Sequence, residues 1–252
     1  MLKESLIIYL TAGFPSLNES MRLIQQTAEC GADLIEIGIP FSDPVADGAS
    51  IQYASEIALR NGVTPGEIIS AIKSTHLKSP LIIMSYINPI IAYGRDNFFY
   101  DIKSAGVSGL VIPDLPVEES DEWLLSADRA DIDMVFLITP VSPLERIKLV
   151  AQKTRGFIYC VSTTGTTGVR NHLSQGLSRF LKNVRENTTK PIAAGFGISS
   201  AEHIRLLRND VDAVIVGSRI IECLRRNDDL EGIIKAFKDA TRKDDQKHLI
   251  GK

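Results

Sequence analysis

Cysteine is scarce and poorly spaced for cross-linking: Cys30, Cys160 and Cys223 are odd in number, far apart and never in a C-x-x-C pattern. That argues against both a disulfide framework and a structural zinc site. Histidine is equally thin. His76, His172, His203 and His248 are scattered, none at the end of a candidate strand, so a catalytic zinc or iron cluster lacks its usual ligands. No apolar run reaches the length of a membrane span. The short run Leu6 to Thr11 is smaller than a signal h-region and has no small-residue cleavage site behind it, so a reducing cytoplasm is the expected setting. An excess of one charge is also missing: 28 Lys plus Arg face 31 Asp plus Glu, for a net charge of −3, and no segment is a basic run. Nucleic acid and anionic membrane are therefore not the expected partners. There is no G-x-x-x-x-G-K-[ST] and no G-x-S-x-G, which removes P-loop chemistry and the hydrolase elbow.

The remainder has an ordinary globular composition, 44% hydrophobic and 23% charged over 252 residues. Short β-branched runs alternate with segments of helical period from end to end, without a composition break. The candidate strands are Leu6 to Thr11, Asp33 to Ile37, Pro80 to Tyr86, Gly109 to Pro113, Asp133 to Thr139, Gly156 to Val161, Pro191 to Gly195 and Asp212 to Val216. Helix starts are marked by four capping boxes, Ser16-x-x-Glu19, Thr64-Pro65-x-Glu67, Ser142-Pro143-x-Glu145 and Ser199-x-x-Glu202, two with proline at the first helical position. The last helix shows a buried stripe of Leu230, Ile233, Ile234 and Phe237, followed by a charged tail over about 242–252. Eight such units predict an α/β fold, a single-domain (β/α)8 TIM barrel over residues 1–252, with a doubly wound sheet as the alternative.

In a barrel, function belongs to the loops after the strands. Period-two alternation in Asp33-Leu-Ile-Glu-Ile-Gly38 puts Ile35 and Ile37 on the helix side and turns Glu36 inward. A carboxylate there is either a structural group tied to a donor or a general acid/base with a raised pKa. In the following loop, Ile39 to Gly48, Asp43 suits an Asx-type turn, and Asp47 is either an N-cap or a catalytic group. Gly195-Phe-Gly-Ile-Ser199 and Val216-Gly-Ser218 follow the last two strands, where barrels often cup a phosphate on backbone amides. Ordinary turn chemistry is the other reading of both loops. The run Ser162 to Gly168, small and polar with two glycines, reads as a mobile lid or a plain surface loop. His203 is expected on the surface of a helix and Cys160 as a small buried hydrophobe. No lysine falls at a strand's C-terminal end, which disfavours a Schiff base.

Glu36-Ile-Gly-Ile-Pro-Phe-Ser-Asp-Pro-Val-Ala-Asp-Gly48 closely resembles the signature of the tryptophan synthase alpha chain family. Leu10-Thr-Ala-Gly13, Ile51-Gln52, Tyr86-x-Asn88-Pro, Asp114-Leu-Pro-Val-Glu118, Gly165-x-Thr-Gly168 and both glycine loops follow in that family's order. The resemblance implies a lyase that cleaves indole-3-glycerol phosphate to indole and glyceraldehyde 3-phosphate by a retro-aldol reaction. It implies Glu36 as acid/base and Asp47 as the group that holds the indole N–H. Ile51, Tyr86, Tyr159 and Phe196 resemble the lining of the indole side, and Thr167 the lid residue that meets the Asp47 loop. Gly168, Gly197, Gly217 and Ser218 resemble the phosphate-binding positions, and Asn88 and Asp114 positions that face the partner or brace loops. No cofactor is implied in this chain; pyridoxal phosphate belongs to a beta chain with which an α2β2 heterotetramer is expected.

The departures from that family carry expectations of their own. Too few residues precede the first strand for the helix that caps the family's barrel floor, which implies lower stand-alone stability. Ala49 stands where proline is common and Tyr9 where phenylalanine is usual; Thr163 and Thr166 replace arginine and valine in the lid. A softer lid would lower turnover or alter its coupling to the partner. The alternative functions are a catalytically weak chain that acts chiefly as an allosteric activator of the beta chain, or another phosphate-binding barrel.

Overall fold

The computed structural model describes residues 2–75, 77, 79–161, 175–195 and 197–243. Among them, the strands are β1 (Ser5–Thr11), β2 (Leu34–Gly38), β3 (Leu81–Met84), β4 (Val107–Val111), β5 (Asp133–Val135), β6 (Leu137–Ile138), β7 (Ile158–Val161), β8 (Ile192–Gly195) and β9 (Ala213–Val216). The helices are α1 (Leu17–Glu29), α2 (Ala49–Arg60), α3 (Pro65–Thr75), α4 (Ile87–Tyr93), α5 (Arg95–Ser104), α6 (Asp121–Ala130), α7 (Leu144–Lys153), α8 (Gln175–Glu186), α9 (Ala201–Leu207), α10 (Ser218–Arg226) and α11 (Leu230–Thr241). Every strand pairing is parallel, in the order β5-β4-β3-β2-β1-β9-β8-β7-β6. Because β4 pairs with β5, β7 pairs with β6, and only Phe136 separates β5 from β6, the sheet wraps into a barrel whose seam lies between β5 and β6.

That seam corrects the expectation of one fifth strand. The run 133–139 is two short segments flanking Phe136, whose carbonyl still accepts the Tyr159 N–H at 3.1 Å. Period-two alternation then sorts the side chains into two cores. Leu6, Ile8, Ile35 and Ile37 pack outward against the helices, whereas Ile7, Leu34, Ile82, Val111 and Ile215 fill the barrel interior. At the floor, Lys238 on α11 pairs with Asp33 at 2.8 Å and donates to the Glu4 carbonyl, while Asp33 also accepts the Leu6 N–H at 2.7 Å.

The helix starts divide. Thr64 and Glu67 form the full reciprocal box, with Pro65 opening α3, and Ser16 accepts from the Glu19 N–H at 3.3 Å. Ser142 does not cap α7. Its hydroxyl accepts the Thr139 N–H at 3.0 Å and Pro143 is the cap residue, so the serine closes the preceding loop instead. The cap of α9 is Ser200, one residue beyond the expected Ser199, and it accepts from the His203 N–H.

Candidate active site

Glu36 lies in β2 with Tyr9 of β1 as its register partner, both turned inward because Ile35 and Ile37 take the helix side. Its side chain is 0% exposed, and neither carboxylate oxygen has a hydrogen-bond partner among the described residues. Burial, with a smaller push from the charge of Asp47, raises its pKa from 4.5 to about 8. The structural reading of Glu36 needed a donor; what stands there is a buried acid that keeps its proton at neutral pH.

Asp47 lies in the loop between β2 and α2. The cap of α2 is Gly48, which makes no side-chain cap bond, so the N-cap reading of Asp47 is set aside. The carboxylate instead receives the Tyr86 hydroxyl, whose oxygen in turn accepts the Ala46 N–H at 3.2 Å. Gln52 donates to the Asp47 carbonyl at 2.8 Å, and Phe41 packs against the Tyr86 ring with centroids 5.3 Å apart. The two prolines and these contacts fix the loop without neutralising it. Burial raises the Asp47 pKa to about 6 against the opposing effect of the Tyr86 hydrogen bond. Two neighbouring carboxyls thus titrate apart, the strand residue as an acid and the loop residue as an anion near pH 7.

Two tyrosines line the space between them. Tyr159 of β7 and Tyr9 of β1 each lie over the glycine that ends the next strand: a Cβ on Gly195 would come within 2.9 Å of the Tyr159 hydroxyl, and one on Gly38 within 2.0 Å of the Tyr9 hydroxyl. The missing side chains at these strand ends are what admit the two rings. Burial and the charges of Glu36 and Asp47 raise both phenols well above their usual pKa.

Across the mouth, Gly197 has φ +71° and Gly217 caps α10, with Ser218 as its first residue. A Cβ on Gly48 would lie 3.7 Å from Ser218 Oγ, so the Asp47 loop and this glycine loop adjoin. His203, expected as a surface residue, is half-buried: its Nδ1 accepts the Ser199 N–H at 3.4 Å and lies 3.2 Å from the Gly197 carbonyl oxygen, bracing that loop. Asp114 accepts the Ile87 N–H at 3.0 Å and so caps α4, a bracing role, while Asn88 is exposed. Ile51 on α2 is half-buried against Phe14, Ala54 and Ile221. Thr167, Gly168 and Phe196 lie outside the described residues, as do the rest of the Ser162–Gly168 run, including Thr163 and Thr166, and His172. Tyr9 and His203 are the site residues that sequence reasoning missed. Among the described residues no three His, Cys, Asp or Glu side chains converge as metal ligands.

Comparison with known proteins follows the same lines. A family model described as tryptophan synthase alpha chain matches residues 2–248. The tryptophan synthase alpha chain of Dehalococcoides mccartyi is 45% identical over 233 residues, 92% of this chain and 91% of that one. That of Arabidopsis thaliana is 39% identical over 92% of this chain and 86% of its own. A structure of Mycobacterium tuberculosis tryptophan synthase superposes with TM-score 0.89 at 33% identity, over 96% of this chain and 94% of that one. The alpha subunit from Legionella pneumophila gives 0.86 at 29% identity, over 94% and 92%.

Proposed function

Since the chain belongs to the tryptophan synthase alpha chain family, the lyase subunit of tryptophan biosynthesis, we propose that Glu36 and Asp47 carry the family's retro-aldol cleavage of indole-3-glycerol phosphate. The observation behind this is the inward, buried carboxyl of Glu36, unpartnered among the described residues and protonated at neutral pH beside an ionised Asp47.

Glu36 donates its proton to indole C3, which leaves a positive charge on the ring nitrogen. Asp47 accepts the indole N–H hydrogen bond and opposes that charge in a site with little water to screen it. Glu36, now a carboxylate, takes the proton from the hydroxyl on the carbon attached to the ring. The O–H electrons form the aldehyde C=O, and the electrons of the breaking C–C bond return to the ring as indole. The acid is thereby restored in its starting form. The ring is its own electron sink, so the family's alpha chain needs neither a Schiff base nor a cofactor. The phosphate is assigned to the backbone at Gly197, Gly217 and Ser218, and the family resemblance assigns Gly168 to it as well. Tyr86 orients Asp47, and Tyr159 and Ile51 are assigned to the indole side, a role that the family resemblance also gives to Phe196 and Thr167.

The family implies a beta-chain partner, and the reading extends to an α2β2 heterotetramer with pyridoxal phosphate in the beta chain, a cytoplasmic setting, and one catalytic domain spanning 1–252. Three strongly exposed apolar side chains on the mouth side, Val45 (76%), Ile91 (59%) and Val141 (82%), support docking of that partner over the barrel mouth. Among the described residues no helix is long and apolar enough to cross a membrane.

The test is indole release from indole-3-glycerol phosphate with and without the beta chain. Release that rises with the partner and drops at least about a thousandfold in Glu36→Gln supports the assignment. Stimulation of the beta chain without any indole release would instead make this a regulatory subunit.

A further inference from the structure

Tyr9 is a buried phenol, 5% exposed, whose hydroxyl makes a single hydrogen bond among the described residues. In it Thr11 Oγ1 is the donor, at 3.5 Å, so the Tyr9 proton has no protein acceptor among the described residues. A buried donor left open in this way is uncommon in folded proteins unless something else meets it. Directly across the register, both oxygens of Glu36 are also open. The two groups leave each other unbonded and face one space.

The ring's placement says which part of a ligand would reach it. A Cβ on Gly217 would touch the Tyr9 Cβ at 3.3 Å, while one on Gly38 would strike its hydroxyl. The side chain therefore starts beside the glycine loop after β9 and ends at the top of β2, two residues beyond Glu36. A molecule with its phosphate on the Gly197 and Gly217 loops and its reacting carbon at Glu36 must pass over this ring. Burial, together with the negative charge of Asp47, holds the phenol protonated, which keeps it a donor throughout the working pH range.

Resting on the reading of the mouth given above, we propose that Tyr9 is a substrate-recognition residue, whose hydroxyl donates a hydrogen bond to the middle glycerol oxygen of indole-3-glycerol phosphate, the oxygen that cleavage leaves untouched. Tyr9 selects for polyol phosphates over phosphates with a plain alkyl chain at that carbon. The residue takes no part in proton transfer.

Two ligands isolate the contact: glycerol 3-phosphate, and 3-hydroxypropyl phosphate, which lacks only the middle hydroxyl. Titration calorimetry of the chain in its beta-chain complex, wild type against Tyr9→Phe, should show glycerol 3-phosphate favoured about fivefold to tenfold by the wild type. That preference should fall to within about twofold in the variant, with 3-hydroxypropyl phosphate bound equally by both proteins. In indole release, KM for indole-3-glycerol phosphate should rise more than kcat falls. An unchanged preference in Tyr9→Phe overturns the proposal, and so does an equal loss for both ligands, which would mean the ring had merely shifted. If the wild-type complex binds neither ligand and releases no indole, the lyase reading itself fails, a result distinct from either.

Discussion

Replacing Glu36 by glutamine should make the protein more resistant to unfolding at alkaline pH, even as it removes catalysis. In the folded chain the carboxyl holds its proton up to about pH 8, whereas in the unfolded chain it releases it near 4.5. Between these values the native state binds more protons than the unfolded state, so stability falls as pH rises. At about 1.4 kcal/mol per pH unit, the full cost above pH 8 is about 5 kcal/mol, and the part acquired between pH 5 and pH 9 is about 4 kcal/mol. Total stabilities of domains run from about 5 to 15 kcal/mol, so this single group should visibly narrow the range over which the wild type stays folded.

Urea unfolding of the isolated chain at half-unit steps from pH 5 to 9, wild type beside Glu36→Gln, reads this directly. Asp47 keeps its burial and its Tyr86 hydrogen bond in both proteins, so most of its own contribution cancels in the difference. The buried glutamine amide carries its own unmet hydrogen bonds, but that cost does not depend on pH. The gap in unfolding free energy should therefore swing in favour of the variant by about 4 kcal/mol across the range and level off above pH 8. Parallel curves would mean that Glu36 is not desolvated or has a partner, and the acid/base assignment would lose its physical basis.

Other outcomes follow from neighbouring contacts. The kcat/KM for indole release should be bell-shaped, rising through about pH 6 as Asp47 ionises and falling through about pH 8 as Glu36 loses its proton; a flat profile over that span would contradict both assignments. Tyr86→Phe removes a hydrogen bond that lowers the Asp47 pKa, so the acidic limb should move to higher pH, as the same pH–rate titration will show. Thr64→Ala dismantles the reciprocal box at α3 and should cost about 1 kcal/mol in urea unfolding, with indole release per folded molecule unchanged.

Much of the barrel was legible because strand alternation is a local property. Ile35 and Ile37 demanded the helix side, and that alone turned Glu36 inward. The break at Phe136 was not legible, since Asp133 to Thr139 reads as one continuous apolar run and only the closing seam of the barrel interrupts it. Capping signals failed where two local bonds compete for one hydroxyl. Thr64 and Ser142 have the same pattern, but the Thr139 N–H recruits Ser142 back into its loop. Ser199 and Ser200 are adjacent, so the local pattern fits either, and the helix starts after Ser200, whose hydroxyl accepts the His203 N–H.

The residues missed at the site depend on register and tertiary proximity. Nothing in Leu6 to Thr11 marks Tyr9 as a site residue until β1 is laid beside β2 and its ring is found over Gly38. His203 acquires its role only when α9 folds back to set the ring against the Gly197 loop. The division of labour between the two carboxyls has the same origin. Glu36 sits on a strand, where the barrel closes around it, and its proton affinity is raised first by desolvation and then by the charge of Asp47. Asp47 sits on a loop, partly exposed and bonded to Tyr86, and its pKa rises less. Depth along the barrel axis therefore orders the two pKa values. A strand supplies the acid and a loop supplies the anion, because only a strand can hold a carboxyl deep enough to keep its proton, and only a loop leaves one shallow enough to lose it.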